Sequence, residues 1–171
     1  MPYIKEVFDV TTLDHAKHVV LTSDPNDPGK FERETSFLID VIAKNIPLNE
    51  TSNVLDFGCG MGRVSKPIVD TFNSNVVGVD ISPSMLNFAR LYVRKPDKFT
   101  ATHAYHLPES IDVAISVLVL QHTQDPVKEI DNICKVLKPG GYLVLLSERI
   151  RYVPSDVAPH DGQYYIVWND D

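Results

Sequence analysis

The chain has 171 residues, a formal net charge of −7 and a pI near 5.3. An acidic chain without clustered Lys and Arg lacks the surface that binds phosphates, so we expect no nucleic-acid partner. Two cysteines are too few for a disulfide framework. The first residues contain no apolar signal core, and the longest apolar stretch, residues 113–120, is too short to cross a bilayer. The sequence therefore predicts a cytoplasmic protein without a membrane partner.

The length predicts one domain over residues 1–171. We expect helices in residues 1–50, a core of alternating strands and helices in residues 51–148, and a short C-terminal segment in residues 149–171. No repeat or low-complexity tract interrupts this order. The turn-rich sequence SDPNDPG at residues 23–29 separates the two N-terminal helices.

Two helical patterns precede the first strand. Thr12 is a suitable cap for a helix that carries Leu13, Ala16 and Val20 on one face. The second pattern covers residues 30–45 and ends before Pro47. Its expected apolar face consists of Phe31, Leu38, Val41 and Ile42.

From residue 54 onwards, short apolar runs alternate with amphipathic helices. This alternation predicts an α/β fold in which helices cover both faces of a mainly parallel sheet. Ser82 with Pro83, and Asp125 with Pro126, are typical helix starts. The helix after Asp125 should bury Val127, Ile130, Cys134 and Leu137 and stop at KPGG, residues 138–141. The expected strands are residues 54–57, 76–80, 98–102, 112–118 and 142–147.

The most informative segment is VLDFGCGMGR, residues 54–63, with Asp80 at the end of the following strand. Glycines allow a sharp turn and close approach to a ligand, and an acid at this place can accept both hydroxyls of a ribose. The dinucleotide fingerprint G-x-G-x-x-G needs a glycine where this chain has Arg63 or, in the other register, Ser65. Asp56 just before the loop would repel a pyrophosphate and attract a cation. The loop therefore favours a cationic nucleoside over NAD.

The sequence resembles the class I S-adenosylmethionine-dependent methyltransferases, in particular the broad small-molecule group. Four segments match that family's motifs in order and at normal spacing, over residues 54–148. The resemblance implies a Rossmann-like three-layer αβα sandwich, with S-adenosyl-L-methionine as cofactor. The matching segments are VLDFGCGMGR, VVGVDIS, DVAISVLVLQH and LKPGGYLVLLSE.

The resemblance also implies roles for individual residues. Asp56 would steady the cofactor ammonium, Asp80 would hold the ribose, and His122 would face the substrate as the candidate catalytic base. Val117 would offer its backbone to the methionyl end of the cofactor. The remaining expected cofactor-binding residues are Gly58, Cys59, Gly60 and Gly62 around the methionine part, and Ile81, Met85, His103 and Ala104 around the adenine.

Two features depart from the family pattern. After the third strand, His103 occupies the place of an acid that usually accepts the adenine amino group. A neutral imidazole can accept one hydrogen bond, but not in charge-assisted form. Members of the family continue after the fifth strand through a helix and a strand hairpin. Residues 149–171 are too few to form both of these elements at their usual length. We therefore expect a shortened or missing hairpin, and either a shortened domain or an incomplete chain.

The sequence thus predicts methyl transfer by in-line displacement to an unidentified, small-molecule acceptor. A cofactor-binding or partner module without catalysis, and NAD-linked redox chemistry, are the alternatives. The C-terminal run YYIVW, residues 164–168, is strand-like, and an unpaired edge beside the fifth strand makes a homodimer plausible. The pairs His15 with His18 and His103 with His106 lack further convergent ligands, so no metal site is expected.

Overall fold

The computed structural model describes residues 8–21, 26–103, 110–146, 157–160 and 163–166. Five parallel strands form a sheet in the order β3-β2-β1-β4-β5. The strands are β1 Asn53–Phe57, β2 Asn75–Val79, β3 Phe99–Thr102, β4 Ile111–Val117 and β5 Leu137–Leu146. The helices are α1 Leu13–Val20, α2 Lys30–Asn45, α3 Ser65–Phe72, α4 Pro83–Val93 and α5 Pro126–Val136, with a 3₁₀ turn at Leu120–His122.

The sheet divides the core into two apolar layers, because side chains alternate along each buried strand. Val54 of β1 packs with Ile42 of α2 and Ile68 of α3 on one face. Leu55, the next residue of β1, packs with Ile133 of α5 on the other face. The three-layer αβα sandwich expected from the sequence is therefore confirmed, with the Rossmann-like topology.

Strand order reverses at β1, which lies between β2 and β4. In an open parallel sheet, the carboxyl ends of the strands on either side of such a reversal enclose a crevice. Asp80 and His103 follow β2 and β3 directly, and Val117 ends β4. The topology thus brings segments that are distant in sequence to one edge of the sheet.

Three details of the predicted packing are wrong. On α5, Val127 and Cys134 are exposed, whereas Ile133 and Val136 are buried. On α2, Val41 is exposed and Ile39 is buried instead. Both helices carry apolar residues on more than one stripe, so periodicity alone does not fix which stripe faces the sheet. On α5 the stripe with Ile133 faces it, and Ile133 lies in one cluster with Leu55 of β1.

The fifth strand also begins earlier than predicted. The segment KPGG belongs to β5, in which Leu137 pairs with Ile111 and Tyr142 pairs with Val113. The register shift between these two pairs accommodates the extra residues as an irregularity, and Gly140 takes a φ of 81° there.

A short C-terminal hairpin is present. Its strands β6 Val157–His160 and β7 Gln163–Ile166 pair antiparallel in a separate two-stranded sheet. The predicted strand at residues 164–168 is thus confirmed up to Ile166, and its last two residues lie outside the described part. Within the described residues, no helix has the length and apolar character required to cross a membrane.

Candidate functional site

The glycine loop connects β1 to α3 and is held against the end of β2. The backbone amides of Gly58 and Cys59 both donate to the carbonyl oxygen of Val79, at 2.7 Å and 2.9 Å. Gly58, Gly60 and Gly62 have φ values of 73°, 52° and 87°. Side chains other than glycine rarely adopt this conformation, so the loop path depends on these glycines.

Close packing gives two of these glycines a second role. A Cβ atom on Gly58 would lie 2.3 Å from the Val119 side chain. A Cβ atom on Gly62 would lie 2.9 Å from Val93 of α4. Gly58 therefore lets the segment after β4 approach the loop, and Gly62 lets α4 pack against it.

Asp80 lies at the centre of the crevice. One carboxylate oxygen accepts a hydrogen bond from the Gly60 amide, and the other accepts one from the Ser82 amide, both at 2.8 Å. Burial raises the pKa of Asp80, and these backbone hydrogen bonds oppose that rise. The carboxylate is thus fixed in orientation by two amides while it still lines the cavities beside it.

Two adjoining cavities open at this edge of the sheet, with volumes of about 250 Å³ and 540 Å³. Both lie against Asp80 and His122 and are bounded on one side by Val119. The smaller cavity extends over Gly60 towards the N-terminal residues, and the larger one extends towards His103 and the start of α5. Together they form one crevice across the carboxyl ends of β1, β2 and β4, which we call the cleft.

Several of the predicted cofactor residues line this cleft. Ile81 lines both cavities and is 59% exposed. Met85 is buried and lines the smaller cavity together with Val117. The structure brings eight of the residues named from the sequence to one crevice: Gly58, Gly60, Asp80, Ile81, Met85, Val117, His103 and His122.

His103 stands at the edge of the larger cavity. Its Nδ1 atom lies 3.1 Å from the backbone carbonyl oxygen of Asp80. A carbonyl oxygen only accepts, so Nδ1 carries the proton in this contact, and Nε2 of a neutral ring is then an acceptor. The neighbouring Ala104, also predicted to contribute, lies outside the described residues.

Asp56, Cys59 and Gly62 are placed differently, since none of them lines the cleft. Asp56 is buried beneath the loop, where Ser65 of α3 donates a 2.6 Å hydrogen bond to its carboxylate. Burial raises the pKa of Asp56 to about 6, although Ser65 and the charge of Arg63 oppose the rise. Cys59 is also buried, with its sulfur against the backbone of Gly78, and burial raises the pKa of its thiol well above the ordinary value.

Arg63, which replaces a glycine of the dinucleotide fingerprint, is buried as well. Its guanidinium lies 3.4 Å from the hydroxyl of Thr35 on α2. Burial lowers the pKa of Arg63, and the nearby charge of Asp56 opposes this. Arg63 thus belongs to the layer that supports the loop from below.

The sequence did not indicate the N-terminal wall of the cleft. Phe8 lies edge-on against the ring of His122, with 5.4 Å between the ring centroids and 72° between the planes. Side chains of α1 continue this wall. An isolated Phe carries no periodic signal, and its contact with His122 is visible only in three dimensions. The residues of the wall are Phe8, Val19, Val20 and Leu21.

Another cavity, of about 310 Å³, lies at the opposite ends of the strands. Its charged residues already pair with their neighbours, because Asp112 accepts from the Asn53 amide and from Lys138 Nζ. Across the described ranges, no group of three or more His, Cys, Asp or Glu side chains is arranged to hold a metal ion.

Comparison with known proteins is consistent with the architecture of the cleft. A family model described as a methyltransferase domain matches residues 55–145, more than half of the chain. The chain belongs to this family, the class I S-adenosylmethionine-dependent methyltransferases.

Two relatives illustrate the range of the family. The chain is 29% identical over 147 residues to the ubiquinone biosynthesis O-methyltransferase of Aliivibrio fischeri, covering 72% of this chain and 62% of that protein. It is 31% identical over 124 residues to a sterol 4-C-methyltransferase of Caenorhabditis elegans, covering 68% and 37%. The chain therefore spans less than two thirds of either relative.

A solved structure shows the same fold at similar sequence distance. It is phosphoethanolamine N-methyltransferase 2 of Haemonchus contortus, in complex with phosphomonomethylethanolamine and S-adenosylhomocysteine. The sequences are 28% identical, the TM-score is 0.57, and the match covers 63% of this chain and 27% of that chain.

Proposed function

We propose that this chain binds S-adenosyl-L-methionine in the cleft and transfers its methyl group to a small-molecule acceptor. The observation that carries the proposal is the carboxylate of Asp80, which the Gly60 amide holds in the cleft. A ribose placed there can donate both hydroxyls to the two carboxylate oxygens. The family membership and the S-adenosylhomocysteine in a related structure support this cofactor.

The rest of the cofactor follows from the shape of the cleft. The exposed face of Ile81 suits the adenine ring, with Met85 in the same cavity and His103 Nε2 as an acceptor for the adenine amino group. The methionine part would lie over Gly58 and Gly60 towards Val117. Ala104 as an amide donor, and Asp56, Cys59 and Gly62 as ligand contacts, stay predictions. Asp56 accepts a hydrogen bond from Ser65 at the start of α3.

Methyl transfer requires little chemistry from the protein, because the sulfonium is already an activated donor. The lone pair of the acceptor forms a bond to the methyl carbon while the carbon–sulfur bond breaks, and its electron pair stays on sulfur. Holding donor and acceptor in line while excluding water lowers the barrier by about 7 kcal/mol in favourable cases. His122 lines both cavities and is our candidate base for the proton of the acceptor.

We propose that the acceptor is a small, partly apolar molecule. The wall beyond Gly60 is formed by Phe8, Val19 and Leu21, whose apolar side chains favour contact with carbon-rich groups. The names of the relatives refer to ubiquinone biosynthesis and to a sterol, which also supports a small-molecule acceptor.

We also propose that the chain forms a homodimer through β5. In the described part of the chain, β5 is an outer strand of the five-stranded sheet and exposes Tyr142, Leu145 and Leu146. Exposed apolar edge strands favour pairing with another chain. Light scattering of the wild-type protein and of a Leu145→Lys variant tests this, since a dimer should become a monomer.

Calorimetry with S-adenosylmethionine, S-adenosylhomocysteine and NAD in one series tests the cofactor. We expect binding of the first two and none of NAD, and selective NAD binding would refute the proposal.

Assays with a panel of oxygen, nitrogen and carbon acceptors test methyl transfer. His122→Ala should lower turnover, with the exposed His15→Ala as control; unchanged turnover with several proton-bearing acceptors would exclude the base role. Cofactor binding with no transfer to any acceptor would favour a module without catalysis.

A further inference from the structure

The ring of His122 is packed against a residue from the far end of the chain. Phe8 meets it in an edge-to-face arrangement, with 5.4 Å between the centroids. His122 sits on the single 3₁₀ turn Leu120–His122, which is held by a 2.8 Å hydrogen bond from its own amide to Val119. A 3₁₀ turn has poorer hydrogen-bond geometry than an α-helix. The contact with Phe8 therefore adds a restraint on the orientation of the imidazole.

Phe8 is itself fixed by two hydroxyl groups at the start of α4. Its carbonyl oxygen accepts hydrogen bonds from Ser82 Oγ at 2.7 Å and from Ser84 Oγ at 3.2 Å. The amide of Val10 donates to Ser84 Oγ at 3.0 Å. We call this group, Ser82 and Ser84 with the backbone of Phe8 and Val10, the serine clasp. The contacts join parts of the chain more than seventy residues apart.

The serine clasp is anchored on both sides. Val10 is buried and packs with Ala16 and Met85 in a small apolar cluster. Ser82 Oγ also accepts from the Met85 amide, which caps α4. These contacts hold the clasp against both α1 and α4, so Phe8 is attached to a rigid element rather than to a free segment.

The serine clasp is also continuous with the cofactor end of the cleft. The amide of Ser82 donates to Asp80 Oδ1, while its hydroxyl donates to Phe8. Ser82 thus contacts both Asp80, which we propose binds the ribose, and Phe8, which packs against the ring of His122. The path from Asp80 to His122 consists of two hydrogen bonds and one aromatic contact.

We propose that Phe8 is a positioning residue for His122, and that the serine clasp fixes the position of Phe8 relative to Asp80. The part of this inference that concerns turnover rests on the proposed methyl transfer. Phe8 does not exchange protons; it holds the imidazole edge in one orientation in the cleft, where both residues line the smaller cavity. A general base acts only when its nitrogen is held within reach of the proton that it takes.

The geometric part is tested by NMR on protein with isotope-labelled histidine. The chain has six histidines, and a His122→Gln variant assigns the relevant ring resonance. Ser84→Ala keeps both rings but removes one clasp hydroxyl, so a shifted His122 resonance reports a changed ring geometry. We expect the His122 resonance to move in Ser84→Ala and further in Phe8→Leu, and to stay in place in the control Phe37→Leu on the exposed face of α2. An unmoved resonance in Ser84→Ala overturns the role of the clasp.

The functional part is tested by steady-state kinetics. We expect Phe8→Leu to lower kcat about tenfold through loss of alignment, with the KM for S-adenosylmethionine changed less than about twofold because Asp80 keeps its own amide donors. Phe8→Tyr keeps the ring and should restore kcat. Equal losses in Phe8→Leu and Phe8→Tyr, or a loss confined to KM, contradict positioning.

The two proposals fail in distinguishable ways. If wild-type protein binds S-adenosylhomocysteine but transfers no methyl group, methyl transfer fails, while the His122 resonance in Ser84→Ala still decides the geometric proposal. If Phe8→Leu does not fold, Ser84→Ala carries both measurements, with a smaller expected fall in kcat than for Phe8→Leu.

Discussion

The backbone amide of Gly60 donates a 2.8 Å hydrogen bond to the carboxylate of Asp80, twenty residues further along the chain. This bond joins the glycine loop after β1 to the end of β2. With the Ser82 amide on the other oxygen, it orients the carboxylate before any ligand binds. A group that is already oriented pays less entropy when it binds a ligand.

Replacing this carboxylate tests its role directly. We expect Asp80→Asn to raise the Kd for S-adenosylmethionine about ten- to hundredfold, because a hydrogen bond to a charged group contributes about 1.5–3 kcal/mol. Asp70→Asn is the matched control, since Asp70 is a surface carboxylate on α3 that pairs with Lys66. Calorimetric titration of both variants measures the change. Equal affinity in wild type and Asp80→Asn would contradict a ribose contact.

The apolar contact to the adenine is tested at Ile81. Its side chain is 59% exposed in the cleft, so truncation removes little packing from the fold. We expect Ile81→Ala to weaken S-adenosylmethionine binding about fivefold, from the lost apolar area, while the unfolding midpoint stays near that of wild type. Leu91→Ala on α4, at 64% exposure and away from the cleft, is the control. If both variants weaken binding equally, the effect does not come from contact with the cofactor.

Much of this site is predictable from the sequence because its signals are local. The glycines, Asp80 and the helix cap at Ser82 each belong to a short pattern with a local physical reason, a sharp turn for the glycines and a capping hydrogen bond for Ser82. The side of each helix that faces the sheet is less predictable where apolar residues form two stripes, as around Val127 and Ile133 of α5.

Two further features depend on tertiary contacts. The burial of Asp56 depends on Ser65 and Arg63, whose placement follows from how α3 packs beneath the loop. The contact of Phe8 with His122 joins distant segments and leaves no trace in local spacing. In both cases the sequence gives the residue types, but local patterns do not show which of these residues are in contact in the folded chain.

The buried carboxylate of Asp56 predicts a pH dependence of stability. Burial raises its pKa to about 6 in the folded chain, from an ordinary value of 3.8. The folded state therefore binds the proton more tightly than the unfolded state, and between about pH 4 and pH 6 stability falls as pH rises. Above this window the carboxylate is ionised in both states and the penalty stays constant.

A comparison with Asp56→Asn isolates this effect. We expect the free energy of unfolding of wild type, minus that of the variant, to fall by about 2 kcal/mol from pH 4 to pH 7. Urea unfolding at several pH values measures this difference, and Asp40→Asn on the exposed face of α2 is the control. A difference that rises with pH would show that Asp56 is stabilised as an anion.

Gly62, like Gly58, is a position in the loop where a side chain would meet a neighbouring segment. Its φ is 87°, and a Cβ would meet Val93 at 2.9 Å and the backbone of Ala89 at 3.5 Å. Gly62→Ala therefore combines backbone strain with overpacking, and we expect a loss of about 2–4 kcal/mol in the free energy of unfolding.

Gly140→Ala provides the matched control, because Gly140 has a φ of 81° but no atom within 4 Å of the position that a Cβ would take. It should lose only the backbone contribution of about 1–2 kcal/mol. Urea unfolding of both variants separates backbone strain from overpacking. Equal losses would mean that α4 shifts to accommodate the added methyl group with no measurable change in free energy.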